Sequence, residues 1–289
     1  MKQKATNGRF KLFILITFLG FTVWWLYIAL FLRNTDHYSN VHNQVFAAAY
    51  GVMSLLGGII GLIASKKWGG RKSALGKALL FFALGLFAQE FGQLAYSFYL
   101  YALKVEIPYP SIGEVGYFGS VLLYIYAVIQ LAKVVGVKFS LKDRRGKFIA
   151  AVLPLLLLTG SYLFFLRDYQ FDFSSVKSTL TVILDFGYPL GQALYVAVAL
   201  LTYILSRKLL GGLMKNKILF VLFALLVQYI ADFAFLDAAK AQKVFPAGAN
   251  DFLYLVSYTV MALALGSFLT LNLTPSNEKT ETASTEGAQ

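Results

Sequence analysis

The chain has 289 residues, 58% of them hydrophobic and 14% charged, with a mean hydropathy of +0.65 and a formal charge of +12. A soluble domain carries roughly a quarter charged residues, so the composition excludes an ordinary soluble protein and makes the bilayer the solvent. Cysteine is absent, which excludes disulfides, thiolate metal sites and a cysteine nucleophile.

Apolar runs of about 20 residues cross the hydrocarbon core as helices. They lie here at 10–32, 43–65, 74–103, 112–135, 147–166, 179–205, 217–239 and 249–272. The first is too long for a signal-peptide core, and no small-residue cleavage site follows it. The loop after it, "RNTDHYSNVHN", holds both histidines, His37 and His42, beside Asp36. Their spacing fits no standard metal site, and the expectation is a solvated loop. In the second run, Gly57, Gly58 and Gly61 read as a close helix-packing face.

The third run contains "QEFGQLAY" (89–96), and "PYPSIGEVGYF" (108–118) leads into the fourth. The sixth contains "DFGYPLGQ" (185–192), where Pro189 removes the helical hydrogen bond of the Asp185 carbonyl. The seventh contains "QYIADFAF" (228–235), and "FPAGANDFLYL" (245–255) leads into the eighth.

Lys and Arg concentrate in cytoplasmic loops. Here they cluster at the N-terminus, after runs two, four and six, and at Lys279, while the intervening loops hold only Arg33, Lys104, Arg167, Lys177, Lys240 and Lys243. Both termini are therefore expected in the cytoplasm, in a cell inner (plasma) membrane. The basic balance reads as topology and contact with anionic lipid headgroups, not as nucleic-acid binding.

Two ordered sets of residues match. Gln89, Gln93, Tyr96, Pro110, Glu114, Tyr117 and Ser120 align with Gln228, Asp232, Phe235, Pro246, Asp251, Tyr254 and Ser257, and Tyr50 aligns with Tyr188. The expected fold is all-α: eight spans as two parallel four-helix repeats, 1–137 and 147–273. A basic linker at 138–146 would join them, with a disordered tail at 274–289. Repeats of this kind place a site at their interface in transporters.

Ionisable groups inside a membrane are costly and face a cavity or a partner. The candidates are Gln89, Glu90, Gln93, Tyr96, Asp185, Tyr188, Gln192, Gln228 and Asp232. Gln89 and Gln93 share a helix face, as do Gln228 and Asp232. With the charge-derived orientation, the acids lie at or outside the midplane, and the expectation is an outward-facing cavity lined by acids, amides and phenols. Two alternatives stand beside it: protonated carboxyls bonding neighbouring helices, and tyrosines of the interfacial belt. Ser111, Glu114, Tyr117, Asp251 and Tyr254 would form the cavity mouth or cap helices; Ser111 and Glu114 have capping-box spacing.

The stretch "GQLAYSFYLYALKVEIPYPSIGEVGYF" resembles the multi-spanning N-terminal membrane sensor region of some bacterial diguanylate cyclases and histidine kinases. There, Gly-Asp-x-x-Tyr/Trp leads to Pro-Phe-Pro-Ser-x-x-Asp-x-x-Tyr. Gly92, Gln93 and Tyr96 match the first part, with Gln in place of Asp. Pro108, Tyr109, Pro110, Ser111, Glu114 and Tyr117 match the second. The resemblance implies a sensor module acting through a cytoplasmic or membrane signalling partner, since no output domain follows the eighth run.

The leading expectation is thus a membrane sensory or ligand-binding module. The alternative is a small transporter or channel with proton or cation coupling through the intramembrane carboxylates. A lipid-acting enzyme ranks last: no histidine pair and no Ser-His-Asp set can assemble inside the membrane. No catalytic residue, metal or cofactor is expected.

Overall fold

The computed structural model describes residues 2–137, 142–167, 169–206 and 212–270. The linker expected at 138–146 lies partly, and the tail at 274–289 wholly, outside these residues. Every regular element among the described residues is helical: α1 (Lys2–Phe31), α2 (Val41–Ala49), α3 (Val52–Lys67), α4 (Ala74–Ser97), α5 (Gly113–Val134), α6 (Arg144–Ser161), α7 (Val176–Ser206), α8 (Gly212–Lys240) and α9 (Ala249–Ser267). They supply eight spans long and apolar enough to cross a membrane, running from Phe10–Phe31 to Ala249–Thr270. The chain is a multi-pass integral membrane protein.

Three departures from plain helices carry weight. The second span is broken at Tyr50–Gly51, between α2 and α3. The third and fifth spans end in π-helical turns, Phe98–Leu103 and Tyr162–Leu166, a form found mostly as short insertions near functional sites. Around Pro189, α7 continues as helix, and the Pro189 carbonyl accepts from Ser161 Oγ at 2.9 Å.

Six spans close into a ring. α3 packs on α4, α4 on α5, α5 on α7, α7 on α8, α8 on α9, and α9 returns to α3. α1 leans on α9 and α6 on α7 from outside. Burial follows this placement: 11% of the apolar window of α1 and of α6 is buried, against 44–56% for the ring spans. Leu12, Ile16 and Leu19 of α1 and Phe148, Leu155 and Leu156 of α6 are exposed and face the lipid position.

Small residues set the ring's tightest contacts, as expected where lipid supplies no hydrophobic drive between helices. A Cβ at Gly116 on α5 would collide with the Ala88 carbonyl and the Gly92 amide of α4. Gly57 and Gly61 of α3 fit against Leu86 and Ala83 of α4 and against Ala262 and Leu265 of α9.

The two ends of the bundle differ. At the basic end, Lys67 Nζ donates to the Leu269 carbonyl at 2.7 Å, Trp68 Nε1 to Phe268 at 3.0 Å, and Lys217 Nζ to Ser267 and Thr270. These donors serve the Ser267, Phe268 and Leu269 carbonyls and the Thr270 hydroxyl at the end of the last span, where cations also complement the helix dipole. At the opposite end, the loop expected to be solvated is docked. Tyr38 Oη donates to the Val244 carbonyl at 2.9 Å, Asn43 Nδ2 to Pro246 at 2.9 Å and Trp25 Nε1 to Ala247 at 3.0 Å. His37 stacks on Phe245 with centroids 4.3 Å apart, and Trp25 stacks on Phe252 at 4.3 Å. Complementary backbone carbonyls and aromatic faces, invisible in the loop's own sequence, make the difference.

Candidate functional site

The ring's centre is polar. On α4, Gln89 donates through Nε2 to Ser120 Oγ of α5 at 2.8 Å and accepts from Tyr258 Oη of α9 at 3.0 Å. On α8, Gln228 accepts from Ser257 Oγ of α9 at 2.6 Å and donates to Asp232 Oδ1 at 2.9 Å. Asp232 also accepts from Tyr254 Oη at 3.1 Å and, on Oδ2, from Tyr195 Oη of α7 at 2.6 Å. One helical turn separates Gln89 from Gln93, which accepts from Tyr117 Oη at 2.7 Å and Tyr50 Oη at 2.9 Å. All these amides and carboxyls are buried, and each is positioned by a phenol or hydroxyl from a neighbouring helix.

The break in the second span belongs to this site. Gln93 Nε2 donates to the Ala47 carbonyl, whose helical partner position is Gly51, where the helix stops. A side-chain amide thus serves a carbonyl at membrane depth, the condition under which irregular backbone is tolerated there. Glu90 sits against the same break. It accepts from Ser54 Oγ at 3.1 Å, and a Cβ at Gly51 would overlap its Oε2. Glycine at this position leaves room for the carboxyl as it is placed.

A second layer lies toward the docked loops. Glu114 accepts from Tyr96 Oη at 2.5 Å and from Tyr188 Oη of α7. It does not close the capping box read from sequence: Ser111 Oγ accepts from the Gly113 amide at 3.1 Å, and the glutamate turns inward to the phenols. Two phenol donors, from α4 and α7, hold the carboxyl instead. Asp251 does serve backbone, accepting from the Ala247 amide at 2.7 Å, and it also faces Tyr50.

Asp185 stands apart from the central network. Its carboxylate accepts from Tyr109 Oη at 2.6 Å and Tyr169 Oη at 2.7 Å, tying the 104–112 and 167–175 segments to α7. Burial, then Asp185, pushes the Tyr169 phenol up to about 12. In the exposed loops, the Tyr38 amide holds Asp36 below the usual carboxylate range, and the Ser174 amide does the same for Asp172.

The structure therefore brings Gln89, Glu90, Gln93, Tyr117, Gln228, Asp232 and Tyr254 together, with Tyr96, Tyr188 and Glu114 one layer away through the edge-on Tyr96–Tyr117 contact at 5.0 Å. Gln192 is buried on α7 but makes none of the hydrogen bonds described. These side chains are buried and hydrogen-bonded to one another. The sequence named Tyr50 only as a repeat match and Tyr109 only within the resemblance; it missed Ser54 and Gly51 at the break, Tyr169 on Asp185, and Tyr124, whose buried hydroxyl has no hydrogen-bond partner among the described residues. The matched positions of Ser120 and Ser257 were the available signal for the glutamine partners. Nothing local marks the break.

No protein-family model, curated protein or solved structure matches this chain.

Proposed function

We propose that the chain is a sensory, ligand-binding membrane module. In this reading a small polar ligand is taken up at the ring centre, and occupancy is passed to a signalling partner in the membrane or cytoplasm. The carrying observation is that one polar arrangement occurs twice. Gln89 pairs with Ser120 while Tyr117 serves Gln93; Gln228 pairs with Ser257 while Tyr254 serves Asp232. This supports two parallel four-helix repeats, 1–137 and 147–273, with the site between them. Under that reading α5–α7 and α9–α3 are the equivalent half-to-half contacts. Tyr188 facing Glu114 and Tyr50 facing Asp251 cross them in matching places. The charge distribution supports cytoplasmic termini in an inner (plasma) membrane, with the basic end on anionic lipid. Ligand then enters from the end carrying Asp185 and Glu114. The packed network is the closed state, and binding exchanges internal hydrogen bonds for ligand ones.

The test uses full-length protein in nanodiscs, with thermal unfolding followed against single amino acids, sugars and polyamines. A saturable shift in wild type that disappears in Asp232→Ala and Glu90→Ala supports the site. The same shift in both variants rejects it.

One observation favours a transport reading: the second span is broken beside Glu90, as helices are where they line a permeation site. Saturable uptake of the shifting compound into proteoliposomes, lost in Asp232→Asn, would select transport over sensing.

A further inference from the structure

Asp232 is 3% exposed and receives three donors, from Gln228, Tyr254 and Tyr195. All three partners are neutral groups, two phenols and one amide. None of these three partners is cationic. In its ionised form this carboxyl would be a buried charge without a partner of opposite sign, among the costliest arrangements in a protein interior, so ionisation here requires a positive guest. A second, independent observation points to the same place. Tyr124 on α5 is 1% exposed, and its hydroxyl has no hydrogen-bond partner among the described residues. Its ring lies edge-on to Tyr195 at 6.0 Å, and Asp232, Tyr195 and Tyr258 are its electrostatic neighbours. A buried hydroxyl left single in a polar cluster marks a place for a further polar partner.

We propose that the Asp232 carboxylate, with the phenol oxygens of Tyr195 and Tyr124, binds an alkali-metal cation between α5, α7 and α8. The donors are hard oxygens, which suit alkali and alkaline-earth ions and not the softer transition metals. One carboxylate carries one negative charge, and no group of three or more acidic, histidine or cysteine side chains placed to hold a metal occurs among the described residues. The charge balance therefore selects a monovalent ion. The ion occupies the oxygen-rich side of Asp232 and holds three ring helices in one arrangement. This deepens the ligand-binding reading above, since it rests on Asp232 being part of the functional site.

Thermal unfolding of the full chain in nanodiscs, titrated with LiCl, NaCl and KCl against N-methyl-D-glucamine chloride at constant ionic strength, tests it. Wild type is expected to show a saturable rise in Tm with at least one alkali chloride, and Asp232→Asn to lose it. Tyr124→Phe removes a hydroxyl without a partner among the described residues, so it is expected to fold, while the salt midpoint rises by at least about tenfold, as for loss of one polar contact to a charge. A wild-type Tm that follows total ionic strength or pH alone, a rise that survives in Asp232→Asn, or an unchanged midpoint in Tyr124→Phe overturns the ion site. If the alkali ions do nothing while an organic ligand's shift is still lost in Asp232→Ala, the ion is wrong and the ligand-binding reading stands. If both are absent, both fail.

Discussion

The hydroxyl of Tyr258 donates to Gln89 Oε1 at 3.0 Å, across 169 residues of chain and across the α9–α3–α4 side of the ring. Both partners are buried. Tyr258→Phe leaves the amide oxygen without this donor, which costs about 1–3 kcal/mol. Chemical unfolding in detergent micelles should show that loss, whereas Tyr126→Phe, at an exposed phenol, should change little.

Gly51→Ala tests the break in the second span. The new methyl would overlap Glu90 Oε2, so the carboxyl or the backbone must move. Overpacking of this kind costs about 1–3 kcal/mol. Gly51→Ala combined with Glu90→Ala should recover much of that loss in the same unfolding assay. Equal instability of the single and double variants would mean that the backbone at Gly51, and not the carboxyl, sets the requirement.

Gly116 and Gly119 lie on the same helix but should respond oppositely. A Cβ at Gly116 meets the backbone of α4, which cannot swing aside, while a Cβ at Gly119 meets nothing within 4 Å. Gly116→Ala should destabilise, and Gly119→Ala should stabilise by up to about 1 kcal/mol through helix propensity. Tm values measured side by side in one lipid composition decide it.

The Tyr169–Asp185 pair makes a pH prediction. The phenol's folded value of about 12 lies above its usual 10.0. A raised value means that the pair's stabilisation is fully present below the unfolded value and is lost as pH rises from about 10 through about 12. Stability of wild type should therefore fall more steeply over that interval than that of Tyr169→Phe. Parallel curves for the two would show that the hydrogen bond does not couple to folding.

Hydropathy made the eight spans legible to within a few residues, because length and apolarity alone decide what can cross a bilayer. The partners of the polar residues were legible only in part. Gln89, Gln93, Gln228 and Asp232 stand out because such groups are rare in apolar runs, and their matched order pointed to one another. Glu114 misled: capping-box spacing is a local signal, and the phenols of Tyr96 and Tyr188 that outcompete it come from other helices. The break at Tyr50–Gly51 was hidden for the same reason. The group that serves the Ala47 carbonyl is Gln93, 46 residues away, and the sequence around Gly51 reads as uninterrupted helix. The docked loop at 36–43 was hidden because its partners are carbonyls, which no residue type advertises.

That docked loop has a consequence for how the protein is made. Asn43 and Pro246 are 203 residues apart. At about 5–20 residues per second, the ribosome takes on the order of 10–40 s to deliver the second after the first. For the later part of that interval, once Val134 has been made, the first four spans stand with their loop undocked and with Gln89 still awaiting Tyr258. The first half of the chain must therefore dwell as an unfinished arc whose open side shows polar groups to lipid, and insertion of the last span is the event that closes it.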